Sequence, residues 1–402
     1  MINTVIIGGG IGGFTLAREL RSLNDGVSIA IIDPEGLPYD RPPLSKEILN
    51  GTKTTEQILL APAEFYEENN IEIITGRARS IDAQAKVVHL SNGRTIEYEN
   101  LVLATGGVPR SLPTPGFDDP DVWVLRTAAD SLKLKESLTP QTRLAIIGAG
   151  LIGAEVASSA RERGAEVTLI DPQPVALIPA VGEEIAHRLH SLHAENNVEF
   201  INGIVTSINR DGAGFIVHVD GHDTVSADHV LIAVGIVPEE NLASSAGLDC
   251  DNGVLVDASQ RTSNPHIWAI GDCARHRNPD GSLERRHEHW ESAVFDAQVA
   301  AAAINLSELP DRSSSWFWTD RYNVHVEGVG SMSSDGTTII RPDAEGQPQI
   351  AFRMNDDGTM AGCAAIDAGM AVRAARRIID RKIVVDHDQL ADPTVNLKKL
   401  AR

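Results

Sequence analysis

Apolar residues along the chain gather in short runs that end in glycine or aspartate. "TVIIGGGIGGFTLARELRSLNDGVSIAIIDP" (4–34) passes from an apolar run through a glycine turn into a segment with helical apolar spacing, then into a second apolar run closed by aspartate. Short continuous apolar runs suit strands buried on both faces and the segment between them suits an amphipathic helix, so the spacing predicts a βαβ unit. "RLAIIGAGLIGAEVASSARERGAEVTLIDP" (143–172) repeats the pattern. Two such units imply two nucleotide-binding domains. Between them, "VVHLSNGRTIEYENLVLATG" holds a hairpin signal at Asn92-Gly93, then a buried strand from Leu101 to Ala104 and a glycine turn. The same order follows the second unit and ends in "DHVLIAVGIVP". From Trp316 onward, "NVHVEGVG", "TTIIRP" and "QIAFRM" predict antiparallel strands and "AGMAVRAARRIIDRK" predicts a helix, which makes an α+β tail. The expected fold class is α/β, with two Rossmann-like domains and a C-terminal α+β domain.

Length and charge narrow the picture. At 402 residues the chain is too long for one core and calls for two or three domains. With 35 basic and 56 acidic residues, the formal charge of -21 argues against a general nucleic-acid or anionic-membrane surface. An acidic partner would need a local basic patch. Cys250, Cys273 and Cys363 are far apart and odd in number, make neither a disulfide framework nor a zinc site, and suit a reducing cytoplasm. "MINTVIIGGG" lacks a basic leader region and reads as a first strand, and no uninterrupted apolar run reaches the roughly 18 residues of a membrane span. His287 and His289 have no further ligands at zinc spacing, so no metal is expected.

The glycine turns carry the first chemistry. Gly8, Gly10 and Gly13 satisfy G-x-G-x-x-G: the first allows the tight turn, the second lets backbone approach a pyrophosphate, and the third permits close helix packing. Phosphates would then meet a helix N-terminus, where free N–H groups and the macrodipole favour negative charge. Asp33, 20 residues after Gly13, ends the second strand, where a carboxylate binds ribose hydroxyls. Gly148, Gly150, Gly153 and Asp171 repeat this logic. An acid at 171 accepts hydrogen bonds from a free 2′-hydroxyl and repels a 2′-phosphate, and "PQPVALIPAVG" after it has no arginine or lysine, which favours NADH over NADPH.

"YDRPPLSK" (39–46) has paired prolines that predict a rigid turn, with Ser45 as a helix cap for "KEIL". Its fellow motifs are "GGGIGG", "LVLATGG", "LRTAAD", "IIGAGLIGAEVA", "VLIAVGIVPEENLA", "IWAIGDCA", "HEHWESA", "WFWTDRYN" and "PTVNLKKL". Over its whole length the chain resembles the two-dinucleotide, glutathione-reductase-like flavoproteins, and most closely the FAD-dependent NADH:ferredoxin reductases of bacterial oxygenase systems. The resemblance implies FAD on the first unit and NAD on the second. It divides the chain into a discontinuous FAD-binding domain (1–112 and 244–315), an NAD-binding domain (113–243) and a C-terminal domain (316–402).

Site residues follow from the same resemblance. Arg41 is implied to contact FAD phosphate, Ala78 to meet adenine through its backbone, Thr105 and Gly106 to line the flavin domain, and Arg126 to reach FAD from the crossover. Asp272 would hold the ribityl chain, and Trp290 would bring a helix N-terminus to the flavin pyrimidine edge. Ile152 and Gly235 join the second glycine set around NAD. Lys46 and Glu155 are implied to pair beside flavin N5, where a cation favours reduced flavin and hydride arrival.

Disulfide reductases and peroxidases of this fold need a cysteine facing the flavin. No cysteine precedes Cys250, and Cys273 reads as a small buried thiol. Electrons taken from NADH as hydride must therefore leave by another route, and one-electron transfer to an iron-sulfur protein is the natural one. The expected partner is an acidic two-iron, two-sulfur ferredoxin, Rieske-type or plant-type, feeding an oxygenase of aromatic hydrocarbon catabolism; the reductase itself would be a monomer or weak dimer. Arg373, Arg376, Arg377 and Arg381 recur at helical spacing and, with Arg285 and Arg286, would steer that partner. The "WFWTD" aromatics are expected to pack the tail domain against the flavin domain. Alternatives are a rubredoxin or monodehydroascorbate reductase, or a signalling flavoprotein like apoptosis-inducing factor.

Overall fold

The computed structural model describes residues 1–402. They form two compact units, Met1–Arg41 with Lys53–Val108 and Ile236–Arg312, and Pro42–Thr52 with Pro109–Gly235 and Ser313–Arg402. The segment Pro42–Thr52, within the 1–112 assigned above to FAD, thus packs with the second unit.

In the first unit a seven-stranded sheet runs Ile71–Thr75, Ile29–Asp33, Ile2–Ile7, Thr95–Leu103, Val87–Leu90, Ala78–Asp82, with Ile267–Ala269 added against Thr95–Leu103. The long strand Thr95–Leu103 explains the layout. Its first half alternates, burying Ile96 and Tyr98 between exposed Thr95, Glu97 and Glu99, and pairs antiparallel with Val87–Leu90 across the Asn92-Gly93 turn. Its second half, Leu101-Val102-Leu103, is buried throughout and pairs parallel with Ile2–Ile7 and Ile267–Ala269. A strand with one wet face tolerates a polar residue at every second position, and a strand covered on both faces does not. Leu101 and Leu103 join Val5 and Ile7 on one face. Val102 meets Ile6, Leu16 and Ala297 on the other, under the helices Ile11–Leu23 and Trp290–Ile304.

In the second unit five parallel strands run Val198–Asn202, Glu166–Asp171, Arg143–Ile147, His229–Ile232, Val122–Val124. The repeat in sequence is therefore a repeat in topology. A three-stranded meander, Val205–Asp211, Gly214–Val219 and Val225–Ala227, matches the antiparallel strands of the first unit. The tail is a five-stranded antiparallel sheet ordered Trp316–Arg321, Val324–Gly330, Met360–Ile366, Pro348–Met354, Thr337–Pro342. The helix Gly369–Asp380 covers one face with Val372, Ala375 and Ile378. Ile185 and Leu189 of the helix Glu183–Glu195 cover the other, against Val326 and Ala364. The sequence does not predict the strand Met360–Ile366: "MAGCAAI" is almost entirely buried but has no aromatic residue and only one β-branched residue, Ile366, of the types that mark strands. No helix is long and apolar enough to cross a membrane.

Candidate functional site

Each glycine turn is dictated by the atoms around it. Gly8 has φ +114, and a Cβ there would strike the Ala104 carbonyl; one on Gly13 would strike the Gly8 carbonyl. Gly148, at φ +104, and Gly153 face the same obstacles from Ala233 and Gly148. The middle glycines differ. A Cβ on Gly10 would lie 3.8 Å from Arg41 Nε, and one on Gly150 would have nothing within 4 Å, so neither is required by the chain's own packing. The helices Ile11–Leu23 and Leu151–Glu162 begin at these points without a side-chain cap or an acidic first turn. Their N–H groups and positive dipole ends are left for an anion, and the pyrophosphates of FAD and NADH fit that requirement. Arg41, 3.7 Å from Glu35 and laid over the Tyr39 ring, adds a cation beside the first turn.

A carboxylate is clamped at each turn. Asp33 accepts from Gly9 N at 2.7 Å and from Glu35 N at 2.8 Å. Asp171 accepts from Ala149 N at 2.7 Å and from Gln173 N at 2.8 Å. Asp33 is only 7% exposed, whereas Asp171 is half-buried.

The first unit also contains Ala78, Thr105, Gly106, Asp272 and Trp290. Thr105 donates to the Glu239 carbonyl at 2.8 Å, and the Gly106 carbonyl accepts from Glu239 N at 2.9 Å, which ties down the loop after Leu103. Asp272 lies in the single turn Gly271–Cys273, where buried Asp296 accepts from Gly271 N at 3.2 Å. Trp290 opens its helix and donates from its indole to Asp40 at 2.9 Å. Ala78 starts a strand opposite Leu90. Arg126, Ile152 and Gly235 lie in the second unit with the second fingerprint. The Arg126 N–H donates to Asp130 at 3.0 Å, Ile152 is exposed on the first turn of its helix, and Gly235, at φ +97, accepts from Arg110 N.

Lys46 sits in a charged cluster of the second unit. Its Nζ is 2.9 Å from Asp320, 3.6 Å from Glu155, and 5.5 Å from the centre of the Trp318 ring. Asp320, the nearer partner, was not anticipated. Nor does Ser45 cap a helix: Lys46 is the N-cap of Glu47–Asn50, and Ser45 Oγ donates to Glu155 Oε2 at 2.5 Å. A buried carboxylate needs donors more than a one-turn helix needs a cap, which is why the hydroxyl turns to Glu155. Thr319 donates to the other oxygen at 2.7 Å. Burial pulls the Lys46 pKa down, but Glu155, Asp320 and Glu47 outweigh it, so the net shift is upward and the ammonium stays charged. Burial pushes Asp320 up, and hydrogen bonds from His325 and Lys46 reverse that, holding it below the usual carboxylate range.

The missed partners had a signal. Trp316, Trp318 and Asp320 alternate along one strand, and hairpin register sets Trp318 opposite Glu327 and Asp320 opposite His325. The turn residues Tyr322 and Asn323 have φ of 52° and 59°, the conformation of a two-residue type I′ turn. Trp316 and Trp318 stack at 5.0 Å.

Cys273 is fully buried and donates to the Leu103 and Ile270 carbonyls, and burial pushes its thiol pKa up. On the helix Gly369–Asp380, Arg373 and Arg377 are exposed, as is Arg381 at its C-cap, while Arg376 is half-buried and 4.0 Å from Asp380. Arg286 corrects an expectation. Its side chain is 8% exposed and bound to the Asp272 carbonyl and Glu288, so it is held inside the first unit and does not face a partner.

The family model for pyridine nucleotide-disulphide oxidoreductases matches residues 2–297, and a reductase C-terminal model matches 316–401. The chain belongs to the pyridine nucleotide-disulphide oxidoreductase family. It is 37% identical over 400 residues to the anthranilate 1,2-dioxygenase system ferredoxin–NAD(+) reductase component of Burkholderia cepacia, covering 98% of both chains. Among solved structures it aligns with a ferredoxin reductase from Rhodopseudomonas palustris at TM-score 0.93 and 32% identity, covering all of both chains. It also aligns with a chain of the covalent putidaredoxin reductase–putidaredoxin complex at TM-score 0.92 and 29% identity, covering 99% of this chain and 98% of that one. Within this oxidoreductase family, the tail sheet that brings Asp320 and His325 into the second unit belongs to the reductase C-terminal match.

Proposed function

We propose that the chain is an NADH-dependent ferredoxin reductase that holds FAD in its first unit, takes hydride from NADH and passes single electrons to a two-iron, two-sulfur ferredoxin of an oxygenase system. The observation that carries this reading is the pair of uncapped fingerprint helices, each beside a clamped carboxylate, in a chain with no cysteine before the half-buried Cys250. FAD supplies, when bound, the capacity to take two electrons together and release them one at a time. The chain binds and orients. Helix N–H groups and Arg41 would hold the pyrophosphate of FAD, Asp33 its adenosine ribose and Asp272 its ribityl chain, with Thr105 and Gly106 lining the flavin domain and Trp290 bringing a helix N-terminus to the flavin pyrimidine edge. Asp171 selects NADH over NADPH. Lys46 presents a cation to the hydride, and Glu155, held by Ser45 and Thr319, keeps that cation in place.

The anthranilate dioxygenase relative supports an oxygenase ferredoxin as acceptor. Exposed Arg373, Arg377 and Arg381 would dock its acidic face, and three free cysteines suit the reducing cytoplasm. The test is a comparison of acceptors under NADH. Cytochrome c should be reduced rapidly only when a ferredoxin is present, with rubredoxin and monodehydroascorbate slower by at least about tenfold. Equal or faster reduction of either alternative overturns the reading.

A further inference from the structure

Beyond Lys46 the charged cluster continues as a file of groups that the reaction above leaves unused. Asp320 binds Lys46 through one oxygen, and its other oxygen meets His325 Nδ1 at 2.5 Å. On the far side of the ring, His325 Nε2 meets Glu327 at 3.3 Å. A neutral imidazole has only one N–H, so two flanking carboxylates are both satisfied only by the imidazolium.

The surroundings fix this arrangement. The His325 N–H donates to Asp367, whose own N–H donates back to the His325 carbonyl. Trp316 donates from its indole to Glu327, and Glu327 lies so close over Gly369, the first residue of the helix Gly369–Asp380, that a Cβ there would strike it. Asp320, Glu327 and Asp367 are thus the charged groups around the ring, with Lys46 behind Asp320. Arg321, adjacent along the strand, is buried on the opposite face. Side-chain exposure rises from 8% at Glu155 and 12% at Lys46 to 41% at both Asp320 and His325, so the buried pair meets water along the aspartate and the histidine.

We propose that Asp320 and His325 are positioning residues for Lys46: protonated His325 offsets the charge of Asp320 and leaves Lys46 to Glu155, whereas neutral His325 carries no charge to offset it, and Asp320 then draws Lys46 away. The inference rests on the role given to Lys46 above. Burial pulls the His325 pKa down, but Asp320 and then Glu327 outweigh it, and the net shift is upward from the ordinary histidine value.

Two measurements on the full chain test the proposal. In imidazole nitrogen NMR of histidine-labelled protein, assigned by the signal lost in His325→Gln, His325 should titrate above about 6.5 and fall back toward that ordinary value in Asp320→Asn. The rate of flavin reduction by NADH should drop about threefold as pH rises through that same midpoint. The step should vanish in His325→Gln and Asp320→Asn, and His325→Lys, which keeps the charge, should hold the low-pH rate throughout. A His325 midpoint at or below about 6.5, or a step that survives in His325→Gln, overturns the proposal. If NADH reduces nothing, the proposed function fails, and the positioning role falls with it whatever the NMR midpoint.

Discussion

The two glycine fingerprints share one backbone and differ in what stands around it. At the first, Asp33 is almost fully buried and Arg41 lies against Gly10; at the second, Asp171 is half-buried, Ile152 is exposed, and nothing approaches Gly150. Both helices lack caps, so both suit an anion. An added cation and a sheltered carboxylate suit a group that stays bound, and an open turn suits one that comes and goes each cycle. The contrast matches a resident FAD and an exchanging NADH.

Substitution at the middle glycines should separate the two sites most strongly. A Cβ at position 10 meets only Arg41, so in Gly10→Val the chain should fold but lose FAD affinity by about 4 kcal/mol, read as flavin absorbance after gel filtration. Gly150→Val should keep FAD and raise the KM for NADH about a hundredfold. Equal FAD content in the two variants would break the comparison.

Acid should act on both units and then distinguish them. Burial, then Arg321 and His190, push His193 in the second unit down to about 3; burial, then His287 and Arg285, push His289 in the first down to about 4. Each is held neutral while the unfolded chain takes up a proton below about 6.5, so stability present above that pH is lost as pH falls toward the folded value. At pH 5 each costs about 2 kcal/mol. Below about 4 only His193 continues to cost, and His193→Gln should recover about 2 kcal/mol at pH 5 in urea unfolding.

Smaller effects should follow at the redox cluster and the tail. Lys46→Ala should leave FAD content unchanged and slow flavin reduction by NADH about tenfold, or roughly 1.4 kcal/mol in the barrier, seen by stopped flow. Reversing Arg373 and Arg377 to glutamate should raise the KM for ferredoxin about threefold and weaken its dependence on salt, with NADH kinetics unchanged.

The fingerprints were legible because glycine spacing and the terminal aspartates record backbone needs directly. The tail was legible where β-branched residues gather, as in "TTIIRP", and obscure in "MAGCAAI", where small residues fill a strand buried on both sides. Lys46 and Glu155 came from resemblance, and the chain places them 3.6 Å apart. Asp320 and His325 are not legible in the sequence because their meeting depends on hairpin register, and Ser45 resembles a cap locally because its partner, Glu155, is 110 residues away. Local sequence records caps and turns, but not the distant carboxylate that competes for a hydroxyl.

The most direct test is an anaerobic titration of the FAD-loaded chain, in which NADH is added to excess oxidised two-iron, two-sulfur ferredoxin and both are followed by absorbance. Two ferredoxins reduced for each NADH consumed, with NADPH far slower, is the predicted result. NADH consumption without ferredoxin reduction, or equal use of NADPH, would contradict the account.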